Sequence, residues 1–156
     1  MKKVVEFKKL DPDAIIPDYA HEGDAGMDLY SIKDEVIEPL SWKLIPTGLA
    51  CKLPKGTNGE VRSKSGIALK NGVFVLNTPG TVDENYRGEI GVILYNLNTK
   101  EPFVIKKGQK IAQYVINSIE YVDTIEVEVL DETSRGEGGF GSSGLGRNKM
   151  WLINNE

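Results

Sequence analysis

Hydrophobic residues recur with a period of two along most of the chain. Leu49, Cys51 and Leu53 alternate with small or polar positions. Ile90, Val92 and Leu94 alternate with Gly91, Ile93 and Tyr95, which predicts a strand buried on both faces. Ile111, Gln113 and Val115 oppose Ala112, Tyr114 and Ile116. Ile125, Val127 and Val129 alternate with Glu126 and Glu128, which predicts a strand with one wet face. Turn signals separate these runs: Pro46-Thr-Gly48, Pro54-Lys-Gly56, Asn58-Gly59, Asn71-Gly72, Pro79-Gly80 and Lys107-Gly108. Many short strands with frequent turns point to an all-β sandwich, barrel or jelly roll. One segment departs. Ser65-Gly-Ile-Ala-Leu-Lys-Asn71 predicts a short helix, with Ser65 as its N-cap and Asn71-Gly72 as its stop.

Length and composition narrow the class. The 156 residues fit one domain, long enough to bury roughly 70% of the unfolded surface. A net charge of −4 argues against a duplex nucleic-acid binder. A single Cys (Cys51) excludes an internal disulfide framework, and a single His (His21) excludes a multi-His metal site. Cys51 is expected to be a buried strand thiol and His21 a solvated loop residue. Charged residues interrupt any apolar run near Lys2-Lys3, and no stretch approaches a membrane span, so a cytoplasmic protein with no membrane partner is expected.

The unusual entry is glycine. Six of the 17 glycines fall in Arg135-Gly-Glu-Gly-Gly-Phe-Gly-Ser-Ser-Gly-Leu-Gly146. Composition alone allows a flexible tail there. The embedded Arg135, Phe140 and Ser142-Ser143 allow another reading. Glycine lets backbone N–H groups approach phosphate, arginine supplies a bidentate fork, and phenylalanine can stack on a base.

Four more segments hold candidate chemistry. Ser65-Gly66 at a helix start is either a plain cap or an anion site, with Arg62 and Lys64 just upstream. In an extended segment Arg62 is expected to point to the other face. Asn77-Thr-Pro-Gly-Thr-Val-Asp-Glu-Asn-Tyr-Arg-Gly-Glu89 is a long hairpin-like connection carrying Asp83 and Tyr86, and Asp83 is either a turn former or a general base for water. Asp28 is placed at a strand start. Gln113, on the face of Ile111 and Val115, would point inward and need a partner or a ligand.

These five segments, in this order, resemble the five motifs of the homotrimeric dUTP diphosphatase (dUTPase) family. The motifs are Ala25-Gly-Met-Asp-Leu-Tyr-Ser31, Arg62-Ser-Lys-Ser-Gly-Ile-Ala68, Gly80-Thr-Val-Asp-Glu-Asn-Tyr-Arg-Gly-Glu89, Gly108-Gln-Lys-Ile-Ala-Gln113 and Arg135-Gly-Glu-Gly-Gly-Phe-Gly-Ser-Ser-Gly144. The resemblance implies a distorted jelly roll of the β-clip type with one short helix and a flexible glycine-rich C-terminal arm. It implies a β domain over 1–133, an arm over 134–146 and a tail over 147–156. It implies a homotrimer with shared active sites, Mg²⁺ on the triphosphate, and hydrolysis of dUTP to dUMP and pyrophosphate. That reaction would keep uracil out of DNA and supply dUMP for thymidylate synthesis.

Roles follow by position in the motifs. Asp83 would activate the water that attacks the α-phosphorus. Tyr86 would pack under the deoxyribose. Asn77, with Gly80, Val82 and the neighbouring backbone, would read the uracil, and Phe140 would stack over it. Lys64, Ser65, Gly66 and Gln113 would bind phosphate, as would Arg135, Gly141, Ser142 and Ser143. Asp28 would support the metal's water shell. The chain departs from the pattern with Lys64 and Lys110 where the family usually has Arg, and with Asn71 where it often has His. Two alternatives stand beside this reading: the related deoxycytidine triphosphate deaminase class, and a non-catalytic trimeric β module.

Overall fold

The computed structural model describes residues 3–142. It divides into two compact units, Met1–Tyr121 and Val122–Glu156.

The first unit is a distorted jelly roll of eleven strands and one short helix. A four-stranded sheet runs in the order β2 (Gly26–Tyr30), β11 (Lys110–Ser118), β6 (Thr57–Arg62), β8 (Gly80–Val82). A three-stranded sheet runs β4 (Ser41–Pro46), β9 (Gly91–Asn96), β7 (Val73–Val75). Two antiparallel pairs complete it: β1 (Glu6–Lys9) with β5 (Leu49–Lys52), and β3 (Glu35–Ile37) with β10 (Phe103–Ile105). The alternating positions explain the core. Leu29, Ile45, Val92, Leu94, Ile105, Ile111 and Tyr114 are all buried, and each large aliphatic side chain withdrawn from water contributes about 1.5–3 kcal/mol.

Asn58-Gly59 is not a turn but the interior of β6. The reason is Tyr114, which pairs with Val61 across β11 and fills the space at Gly59. The phenol is fully buried, its oxygen lies 3.4 Å from the Cys51 sulfur, and Phe7 meets its ring edge-on at 6.3 Å. Burial pushes both the Cys51 thiol and the Tyr114 phenol well above their ordinary pKa, so both stay protonated.

The helix α1 (Ser65–Asn71) forms where expected, and Gly72 closes it in the left-handed region at φ 65°. Its N-cap is Lys64, not Ser65, and no side chain caps it. Ser65 is already inside the first turn, so its hydroxyl is left for other partners.

Two further expectations are corrected. β9 buries only one face: Val92 and Leu94 are in the core, but Ile93 and Tyr95 are half-buried. Their neighbours on β4, Trp42 and Leu44, are exposed, and Trp42 stacks on Tyr95 with ring centroids 6.5 Å apart. Ile125, Val127 and Val129 form no strand among the described residues; all three are exposed. An alternating pattern becomes a strand only when a neighbouring edge completes its hydrogen bonds, and no described segment does so.

Candidate active site

Asp28 sits in the middle of β2 rather than at its start, 5% exposed. It stands directly opposite Gln113 on β11, which stands opposite Arg62 on β6, so the three share one row on one face of the sheet. Arg62 is therefore not on the other face, because residues two apart on a strand share a face. Its guanidinium is instead taken by Glu60, with Nε donating over 2.8 Å.

Two ammonium groups converge on the Asp28 carboxylate. Lys64 binds Oδ1, and Lys110, from the start of β11, lies 2.6 Å from Oδ2. Burial pushes the Asp28 carboxyl up, but hydrogen bonds and charge from Lys110 and Lys64 outweigh it and hold the pKa below the ordinary range. The same contact raises the pKa of Lys110. Gln113 does find a partner: Nε2 donates to the Ser63 carbonyl over 2.9 Å. Gly26 packs against it, and a Cβ there would fall 2.6 Å from Gln113 Oε1, so a larger residue would displace the amide. Asp24, Gly26, Asp28, Lys64 and Gln113 line a cavity of about 200 Å³. Ser65 and Gly66 are exposed at the start of α1, and Gly66 has no atom within 4 Å of where a Cβ would stand.

The second group lies on the hairpin around β8. The Asn77 amide folds over Gly80, with Nδ2 3.1 Å from the position a Cβ would take. Val82 is buried beneath the following loop. In that loop the Tyr86 N–H donates to the Asp83 carbonyl over 3.1 Å. The Tyr86 hydroxyl donates to the Glu89 carbonyl over 3.0 Å, and Glu89 Oε1 accepts the Gly48 N–H over 2.7 Å. Gly88 permits this, since a Cβ there would fall 2.3 Å from the Tyr86 hydroxyl. Asp83 and Tyr86 thus face one cavity of about 760 Å³, walled also by Lys33, Leu44, Val82 and Ile93. Among the described residues no side chain or backbone group bonds the Asp83 carboxylate, which leaves it free to accept a proton from water.

The third group is on the second unit. Arg135 Nε donates to the Gly138 carbonyl over 2.8 Å, and Ser142 N–H donates to Gly139 over 3.0 Å. Phe140 is fully exposed at φ 45°, and Gly141 follows at φ 105°. The described part of the arm is a run of turns that turns an aromatic ring outward. Ser143 and the 147–156 tail lie outside the described residues.

The sequence-predicted residues therefore fall into three groups rather than one. Asp28, Lys64 and Gln113 share a cavity; Val82, Asp83 and Tyr86 share another; the arm residues belong to the second unit. β2 and β8 are the two edges of the four-stranded sheet, about 14 Å apart at ordinary strand spacing. Reading the sequence alone named Lys110 only as a departure from the family's usual Arg and gave neither Lys110 nor Asp24 a role in the site. The spacing gave no signal for Lys110: three residues from Gln113 is the opposite face of a regular strand, and the ladder between β2 and β11 shifts register between Lys110 and Ala112. Among the described residues no cluster of three or more His, Cys, Asp or Glu side chains could ligate a metal. Asp24 and Asp28 could only meet an ion held mainly by other oxygens.

Comparison with known proteins bears on these groups. The dUTPase family model matches residues 12–144. The deoxyuridine 5'-triphosphate nucleotidohydrolase of Clostridium kluyveri is 56% identical over 137 residues, which cover 88% of this chain and 95% of that one. Its counterpart in Clostridium novyi is 54% identical over 145 residues, covering 93% of this chain and 100% of its own. Among solved structures, the Staphylococcus bacteriophage 80alpha dUTPase with dUPNHPP superposes with a TM-score of 0.85 at 30% identity, covering 92% of this chain and all of that one. A mutant dUTPase from phage phi11 of S. aureus, described with a coordinated structural Mg(II) ion, has a TM-score of 0.76 at 25% identity and covers 83% and 99%.

Proposed function

This chain belongs to the dUTPase family, and from that premise we propose how its residues carry out the hydrolysis of dUTP to dUMP and pyrophosphate. The observation that carries the reading is Asp83 beside Tyr86 in one cavity, its carboxylate unengaged among the described residues.

Asp83 accepts a proton from a water molecule as that water's oxygen bonds the α-phosphorus. The bond from the α-phosphorus to the bridging oxygen breaks, and pyrophosphate leaves with that oxygen. In-line phosphoryl chemistry of this kind needs alignment and charge neutralisation and no covalent nucleophile, so a chain with one buried Cys and one loop His lacks nothing for it. Tyr86, held by its own hydroxyl, forms the floor under the deoxyribose and leaves no room for a 2′-hydroxyl. Asn77, Gly80 and Val82 form the uracil side. Lys64, Ser65, Gly66 and Gln113 take phosphate oxygens, with Lys110 as a further cation. The arm over 134–146 closes the site, with Phe140 over the base and Arg135, Gly141, Ser142 and Ser143 on the terminal phosphate; closure excludes water.

Magnesium fits this donor set when the triphosphate and water supply its ligands and Asp28 faces its water shell, in keeping with the habit of Mg²⁺ to keep waters and bind few side chains. Bound there, the ion neutralises charge on the phosphates.

A homotrimer with shared sites is supported by three features. Asp83 and Asp28 line different cavities at opposite sheet edges. Ile125, Val127 and Val129 keep a strand pattern without a partner. Trp42 and Leu44 leave apolar area exposed. No helix of the described residues is long and apolar enough to cross a membrane. A lone, buried, free thiol suits the reducing cytoplasm, where we place the protein.

The test is pyrophosphate release from dUTP, UTP, dTTP and dCTP in parallel, with and without Mg²⁺. Release confined largely to dUTP is expected. A uridine product from dCTP would favour the deaminase class instead, and nucleotide binding without turnover would favour a non-catalytic module.

A further inference from the structure

The Asp83 carboxylate has no hydrogen-bond partner of its own among the described residues, so its direction is set through the main chain of its loop. That loop is tied down at the next residue. Glu84 Oε2 accepts the backbone N–H of Gly56 over 2.6 Å and the hydroxyl of Tyr121 over 2.9 Å. Gly56 occupies the turn between β5 and β6 at φ 72°, a conformation that aims its N–H at the loop. Its carbonyl accepts the Ile119 N–H over 3.1 Å, so one residue joins the β5–β6 turn, the Asp83 loop and the segment just after β11. A second brace comes from Arg87, whose Nη1 donates to the carbonyls of Glu84 and Tyr86, both over 2.8 Å. Asp83 lies between the cavity it shares with Tyr86 and a smaller one, of about 390 Å³, that it shares with Glu84, Ile119 and Tyr121.

We infer that Glu84 is a positioning residue for the catalytic base: its carboxylate, clamped by Gly56 and Tyr121, fixes the loop that aims Asp83 at the water. This rests on the assignment of Asp83 above. The chemistry is that of an acceptor with two strong donors. The Gly56 N–H and the Tyr121 hydroxyl, the former contributing most, hold the Glu84 carboxyl below the ordinary range, and the bond to Glu84 raises the pKa of Tyr121. The clamp is therefore closed across the neutral range. A base displaced by about 1 Å can lose on the order of 10²-fold in rate while nucleotide contacts elsewhere are untouched.

The test uses the full chain with three variants, Glu84→Ala, Glu84→Gln and Tyr121→Phe, assayed for pyrophosphate release from dUTP across pH and for binding of a non-hydrolysable dUTP analogue. Glu84→Ala is expected to lower kcat by about 10- to 100-fold with analogue affinity within about twofold. Glu84→Gln keeps the acceptor oxygen and is expected to recover most of the rate. Tyr121→Phe is expected to cost a few-fold, and nothing further when added to Glu84→Ala. Unchanged kcat in Glu84→Ala overturns the inference. So does a shift of the acidic limb of kcat without a fall in its plateau, because Glu84 would then act on Asp83 through charge. If Glu84→Ala fails to fold, Tyr121→Phe decides alone, and a wild-type rate there overturns the inference. Failure of the functional reading is distinguishable: the unmodified chain would then bind the analogue and release no pyrophosphate from dUTP.

Discussion

Gly59 and Tyr114 occupy the same space: a Cβ on Gly59 would fall 1.9 Å from the Tyr114 hydroxyl oxygen and 2.2 Å from the ring carbon that bears it. Both are held in the central sheet, and neither can retreat without breaking the β6–β11 ladder. Gly59→Ala is expected to destabilise the fold by at least about 2 kcal/mol, the scale of overpacking a tight core. Urea denaturation at neutral pH measures it. A loss below about 0.5 kcal/mol would mean that the ring has room to move.

Gly66→Ala should behave in the opposite way. A methyl group there meets nothing in the chain, and alanine is favoured over glycine within a helix by roughly 1 kcal/mol. The variant is expected to keep or gain thermal stability and to bind dUTP more weakly, because the proposed phosphate site includes that open space. Unaltered nucleotide affinity would remove Gly66 from the phosphate site.

Asp83→Asn is expected to leave folding and analogue binding largely intact and to cut turnover by about 10²-fold or more. Amide and carboxylate are nearly isosteric, so only the ability to take a proton is lost. Near-normal pyrophosphate release would assign the base to another group.

Asp28 links stability to pH. Its folded-state pKa lies below the ordinary 3.8, so on acidification the unfolded chain takes up the proton first. Its contribution is full above the ordinary value and drains away as pH falls through the lower folded one. Asp28→Asn, which leaves Lys64 and Lys110 without their shared anion, should cost about 1–3 kcal/mol at neutral pH. That difference should begin to shrink below about pH 4, where the unfolded chain takes up the proton, and go on shrinking until pH has fallen through the lower folded value. Paired denaturation curves at pH 7 and pH 3 measure both, and a gap that stays constant would show that the two lysines do not depend on this carboxylate.

Truncation after Thr133 removes the turns that carry Arg135 and Phe140 and leaves the whole β unit. The truncated protein is expected to keep its assembly state by light scattering and to lose most activity. Dissociation to monomers would make the arm structural.

The strands were legible because alternation survives wherever a strand has both a core and a ladder partner, as at Val92 and Leu94. It misled at Ile125–Val129, where the pattern is present and the partner is not. It misled again at Asn58-Gly59, because a turn-forming dipeptide cannot announce a tyrosine more than fifty residues away. The site followed the same division. Asp83, Tyr86 and Gln113 could be singled out as candidates from their local segments. The joining of Lys64 and Lys110 through Asp28, and of Glu84 to Gly56 and Tyr121, depends on contacts between distant strands and loops, and nothing in the local spacing encodes them.

The distance between Asp28, on one edge strand of the four-stranded sheet, and Asp83, just past the other, has a consequence for mixtures. Take one variant dead at Asp83 and another dead in the phosphate cluster at Lys64 and Gln113. Neither works alone. If each site draws the base from one subunit and the phosphate contacts from the next, every mixed trimer contains a single junction where both intact halves meet. Unfolding and refolding the two inactive proteins together in equal amounts should then restore activity to about a quarter of the sites by random assortment. Two dead enzymes would make a living one, and the recovery would show that each site is shared between neighbouring subunits.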